Sequence, residues 1–215
     1  MLESYDRTLP YRIAFGLAFF GALALWEVFR RGRESQRLRE YGFLLFATVA
    51  SVAFALLHDQ VTATISPEYF LTAKGLANDP RPFRAAVAIL AVKASYWVGL
   101  VIGTTLLVAN NPSPRRPQIG YAMLVKLAAL PLLFAVLGAA VGAAMFRGID
   151  LGLRSAAIAV VGAGAASRFL VVWGIHAGSY LGALVGGIAA VTIVVRRRRR
   201  FGAAAAADIE HAPLA

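Results

Sequence analysis

Apolar residues fill five long stretches of the chain, at 13–29, 41–57, 85–109, 119–146 and 155–195, and the charged residues fall largely between them. Crossing roughly 30 Å of hydrocarbon takes about 20 helical residues. Each of the first four stretches therefore predicts one transmembrane helix, and the last is long enough for two. The polar breaks are short: RRGRESQRLRE at 30–40, residues 71–84, the Pro-rich turn NNPSPRRPQ and RGIDLGLR at 147–154. No internal repeat or second domain interrupts the pattern. Residues 1–200 read as a single transmembrane helical domain, and FGAAAAADIEHAPLA (201–215) as a low-complexity, disordered tail.

Basic residues orient the helices. Five Arg against two Glu occupy 30–40, Arg115 and Arg116 follow the third stretch, and Arg196 to Arg200 are consecutive. Short Lys/Arg-rich loops resist translocation. Placing all three clusters in the cytoplasm puts the N-terminus and RGIDLGLR outside, and the remaining chain must then cross an odd number of times. An Arg at the centre of a lipid-facing span costs at least about 2.5 kcal/mol, so Arg168 argues against a full crossing there. The fold class is all-α: a polytopic bundle of about five crossings plus one shallow or re-entrant helix around 155–172, with the last crossing at roughly 176–195. A six-span bundle with an outward C-terminus is the alternative.

Composition agrees. The chain is 59% hydrophobic and 15% charged, with a mean hydropathy of +0.67, too apolar for a water-soluble surface. The net charge of +11 sits beside the apolar runs, which points to anionic lipid rather than nucleic acid. The absence of cysteine excludes disulfides, thiolate metal sites and cysteine nucleophiles. The net-neutral MLESYDRTLPYR and the lack of a small-residue cleavage pattern before WEVFRRGR read as a retained span, not a signal peptide. Heavy Ala, Gly and Arg usage suggests a bacterial inner (cell) membrane.

Gly174, Gly178, Gly182 and Gly186 recur every fourth residue, and Gly138 and Gly142 repeat the spacing. Such stripes let helix backbones approach closely in lipid. They pack within the chain, or form a homo-oligomer or membrane-complex interface. Pro131 predicts a kink. IAVVGAGAASRFL, with Gly162 and Gly164, superficially matches a dinucleotide fingerprint. It lacks the third Gly, the flanking strand and the downstream acid, so small-residue packing is the reading.

Candidate chemistry gathers at the predicted outer rim. In HDQVTATISPEYF, His58 and Thr62 share a helix face, Asp59 adjoins, and Ser66, Pro67 and Glu68 have the order of an N-cap, a first helical Pro and a first-turn acid. That turn would hold Glu68 and Tyr69 over the end of span 2. His176 and Tyr180 share a face of the last span at the same depth, with Arg168 eight residues back. His58, His176 and Glu68 or Asp59 suit a divalent metal such as zinc, with a position open for water. The bland alternative is an interface cluster in which imidazoles bond carbonyls and Arg168 pairs with Glu68 or Asp59. Lys93 is either a pathway residue or a snorkelling cation. Lys126 reads as a headgroup contact, and Glu27 as a partner of Arg30 or Arg31.

HDQVT followed by SPEYF, with His176, Ser179 and Tyr180 in a later H-x-x-S-Y, resembles a group of small multi-spanning bacterial membrane proteins with no assigned activity. The resemblance covers spans 2 to 5 and both polar patches but not the basic tail, and implies that the patches form one site. As an enzyme, the protein would do metal-assisted or acid/base chemistry on a lipid-borne or periplasmic substrate. His58, His176, Asp59 and Glu68 would be ligands or acid/base groups, and Arg168 an anion clamp. A transporter or channel subunit with a path through Lys93, and a scaffold subunit, are the competing classes.

Overall fold

A computed structural model describes residues 2–32, 35–113, 116–148 and 152–210. It is helical with no β-strand among them: α1 Leu2–Arg31, α2 Arg37–Ile65, α3 Phe83–Ala109, α4 Tyr121–Gly148, α5 Arg154–Val161 and α6 Ala166–Glu210. Five segments are long and apolar enough to cross a membrane, Ile13–Arg31, Arg37–Ile65, Phe83–Ala109, Tyr121–Gly148 and Ala166–Gly202, as the hydrophobic pattern predicts. This is a multi-pass, all-α membrane bundle. The chain divides into two units, 1–46 and 47–215, and α2 contributes residues to both.

The shallow element is shorter than predicted. It is α5 alone, Arg154–Val161, ended where Gly162 takes a φ of +79°, a conformation that favours glycine. The last helix then begins at Ala166, not near 176. The insertion cost of a lipid-facing arginine predicts that Arg168 stays out of a crossing helix. Instead Arg168 lies in the first turn of α6, exposed, with Glu68 at 3.4 Å, so it needs no break in the helix. The helix also continues through the Ala-rich stretch to Glu210; His211 to Ala215 lie outside the described residues.

In the first unit Glu27 organises the α1–α2 connection. Its carboxylate accepts from the Ser35 hydroxyl at 2.8 Å and the Arg37 backbone N–H at 2.8 Å, and Arg31 and Arg37 each approach to 3.9 Å. An acid at the N-terminus of α2 is favoured by the helix dipole. Arg31 is thus one of its partners, as the spacing suggested.

In the second unit the glycine stripe is filled from within the chain. A Cβ on Gly178 would stand 2.1 Å from the Gly138 carbonyl oxygen, and one on Gly182 2.0 Å from that of Phe134. Gly186 meets Leu130 and Pro131, so Pro131 sits inside an unbroken α4 against the glycine face. The backbones of α4 and α6 are therefore in direct contact. A second close crossing joins α2 and α3, where a Cβ on Gly99 would lie 2.5 Å from Thr48 Cα and the Ser51 hydroxyl donates to the Ser95 carbonyl at 3.1 Å.

One residue of the basic run is structural. Arg198 is buried and donates to the carbonyls of Ala109 (2.6 Å), Pro117 (3.1 Å), Arg116 (2.7 Å) and Asn111. Asn110 braces the same connection with both ends of its side-chain amide: Nδ2 donates to the Ile119 carbonyl at 3.0 Å and Oδ1 accepts from the Ile119 N–H at 2.9 Å. Hydrogen bonds to charged groups contribute about 1.5–3 kcal/mol each when unopposed. Arg198→Ala, which strands several carbonyls, should cost about 3 kcal/mol and open the 109–119 turn to proteolysis. Arg197→Ala should leave cleavage at the parental level.

Candidate metal centre

The site is built where α2 ends and α6 begins. Thr62, one turn past His58, returns its hydroxyl to the His58 carbonyl at 3.0 Å, a bond available to Ser and Thr inside helices. This fixes Thr62 Oγ1 towards α6, where His176 Nε2 lies at 3.3 Å. After Ile65 the chain turns sharply. Lys74 N–H donates to Tyr69 O at 3.1 Å, closing a wide π-type turn over Tyr69–Ala73, and Gly75 reverses direction at φ +72°. The turn lays Tyr69 flat against His176, ring centroids 4.7 Å apart, with Phe70 at 5.8 Å. Tyr69, Phe70, Ala157, Phe169 and Val172 belong to one apolar core that fastens the turn and α5 to α6.

Inside this frame two imidazoles and a carboxylate converge. His58 and His176 stand edge to face at 4.7 Å. His58 Nδ1 is 3.0 Å from Asp59 Oδ1, and His176 Nε2 is 4.0 Å from the same oxygen. One donor atom from each of His58, Asp59 and His176 falls within 4.8 Å of the others. A tetrahedral zinc at about 2.1 Å from its ligands separates them by about 3.4 Å; the His58 Nδ1–Asp59 Oδ1 edge, at 3.0 Å also a hydrogen bond, is shorter, the His176 Nε2–Asp59 Oδ1 edge is longer at 4.0 Å, and the three donors spread over at most 4.8 Å. The Asp59 and His176 side chains are 11% and 4% exposed. His58 Nε2 is fully buried and has no hydrogen-bond partner among the described residues. Leaving such a group unmet costs about 1–3 kcal/mol.

Glu68 and Arg168 lie apart from this trio. Glu68 accepts from Ser66 Oγ at 2.8 Å and faces Arg168 at 3.4 Å. Ser66 therefore gives its hydroxyl to a carboxylate instead of capping a helix. Glu68's own backbone N–H, then Ser66, then the Arg168 charge, hold its carboxyl below the usual range. Burial, with smaller contributions from Tyr180 and Asp59, pushes the Tyr69 phenol well above its ordinary value, so it stays neutral. Arg81 bonds Asp79 through side chain and backbone, drawing its carboxyl down to about 2. The more distant Lys93 charge acts in the same direction.

Some neighbours escaped the sequence reading. Phe54, one turn before His58, packs on its ring at 5.5 Å; the helical spacing was the available signal. A cavity of about 760 Å³ at this end is lined by Arg147 and Arg154 as well as Arg168, and neither His58 nor Lys93 is part of its wall.

No family model, curated protein or solved structure matches this chain.

Proposed function

We propose that this is a metal-dependent membrane enzyme in which His58, Asp59 and His176 hold one divalent cation, zinc by preference. The supporting observation is the convergence of one donor atom from each of His58, Asp59 and His176 within 4.8 Å, from two different helices. Three protein ligands leave a fourth position for water, which zinc activates near neutral pH. The substrate class is one reachable from the bilayer surface, lipid-borne or on the outer side of the membrane. With Arg198 and the 109–119 turn at the opposite, cytoplasmic end by the positive-inside rule, the centre faces outward. Glu68 and Arg168, apart from the three donors but paired with each other at 3.4 Å, are a candidate acid/base and anion-binding pair.

Ligands must shed protons to bind metal. Zinc titration of the purified full-length protein, with a competing chelator, should show one site whose affinity rises with pH. Asp59→Asn keeps the shape but removes the charged ligand and should weaken zinc by more than the roughly 10–100-fold lost when even an outer hydrogen-bond partner of a ligand is removed. Equal affinity in parent and Asp59→Asn would remove Asp59 from the site. No zinc binding at any pH would leave the cluster as an interhelical clamp through Thr62 and His176.

A further inference from the structure

The cavity beside the metal centre has a composition of its own. Its volume is about 760 Å³, and Arg147, Arg154, Arg168 and Ser167 form its polar lining while Phe146 and Ile175 contribute to an apolar wall. The three arginines come from three elements: the last turn of α4, the start of α5 and the first turn of α6. Arg147 ends and Arg168 begins a helix long and apolar enough to cross a membrane, where charged side chains can reach lipid headgroups. Arg168 has Glu68 at 3.4 Å and remains 59% exposed. Among the described residues, no carboxylate pairs with Arg147 or Arg154. Guanidinium forks match phosphate geometry in a way an ammonium does not, and converging like charges are stabilised by an anion between them. A free phosphate would need no apolar wall; an amphiphile would use both halves.

We infer that this cavity binds the phosphate-bearing headgroup of an anionic membrane lipid, with the adjoining chain along Phe146 and Ile175. The lining omits His58, Asp59 and His176, so the inference does not depend on the metal. If both hold, the pocket presents a lipid-borne substrate beside the centre.

Trp173 provides a local reporter, because its ring packs on Phe146 at 5.1 Å. Trp26 and Trp97 are exposed, and replacing both with Phe leaves Trp173 as the sole tryptophan. The full-length protein in phosphatidylcholine nanodiscs is titrated with dibrominated phosphatidylglycerol or dibrominated phosphatidylcholine. Quenching of Trp173 should reach its midpoint at about tenfold lower content of the anionic lipid, the size of one to two lost charge-assisted bonds. Arg147→Gln/Arg154→Gln should reduce that preference to within about twofold. Ser167→Asp, which sets a carboxylate in the cavity at a helix N-terminus where acids are tolerated, should do the same without touching the arginines. Arg197→Gln/Arg199→Gln, at the other end, should leave the preference intact.

Equal quenching by both lipids in the parent would overturn the inference, as would a preference that survives both cavity variants or disappears in the distal one. Abolition of the preference by millimolar inorganic phosphate would make free phosphate the ligand and overturn the lipid assignment. These readouts need no metal, so their failure is separable from failure of the zinc titration.

Discussion

Gly142→Val is expected to destroy the α4–α6 pair. A Cβ at Gly142 would stand 2.0 Å from the Gly174 carbonyl oxygen and 2.7 Å from its carbonyl carbon. These are backbone atoms that cannot rotate away, so the helices must separate along the stripe. In lipid no hydrophobic gain re-closes them, because association there rests on close packing itself. Overpacking typically costs about 1–3 kcal/mol. Valine, adding branched atoms beyond an already impossible Cβ, should reach or exceed the upper figure. Gly187→Ala is the control: it neighbours Gly186 in the same helix, yet a Cβ there meets nothing within 4 Å. Removing that glycine should be neutral or stabilise by up to about 1 kcal/mol. Thermal unfolding in mild detergent separates the two. Comparable losses in both would mean that the glycine face is not a backbone contact.

The second large effect is stabilisation by zinc. A ligand that binds only the folded state stabilises it by about 2.7 kcal/mol at a hundredfold excess over its Kd. For a chain of this length each kcal/mol moves the midpoint by about 2–4 °C, which sums to roughly 5–10 °C. The gain is expected because His58 and Asp59 come from α2 and His176 from α6, so an ion bound there would tie two helices together. His176→Ala should abolish the zinc response and lower the metal-free midpoint as well, through the lost Thr62 bond and ring contacts. Thr62→Val removes only the hydroxyl, so its zinc response should persist. A zinc response that survived His176→Ala would place the metal elsewhere.

The two features on which these predictions rest were legible in the sequence for the same reason. Close helix contact in lipid needs small residues at helical spacing, so Gly138, Gly142 and the Gly174 to Gly186 stripe announced a backbone contact; the within-chain alternative is the one the structure displays. Apolar chains afford few sites for ionisable groups, so parity of crossings placed His58 and His176 at one depth. Depth alone did not choose among the nearby acids. Asp59 joins the histidines because it follows His58 directly and shares the end of α2, whereas Glu68 is claimed by Ser66 and Arg168. Nor did periodicity show Arg147 and Arg154 beside Arg168. That arrangement depends on the Gly162 turn and on Ala157 docking into the core, tertiary details without a sequence period. Arg168 misled the boundary of α6 because insertion cost applies to an arginine in lipid, and this one lies exposed at the helix start.

Metal binding by His58, Asp59 and His176 decides the proposed function. Its most direct test is the metal content, by mass spectrometry, of detergent-purified full-length protein beside a folded His58→Ala, His176→Ala double variant. The predicted result is near-stoichiometric divalent metal in the parent and its loss in the variant. Metal-free parent protein that also takes up no zinc on addition, or equal metal in both proteins, would contradict it.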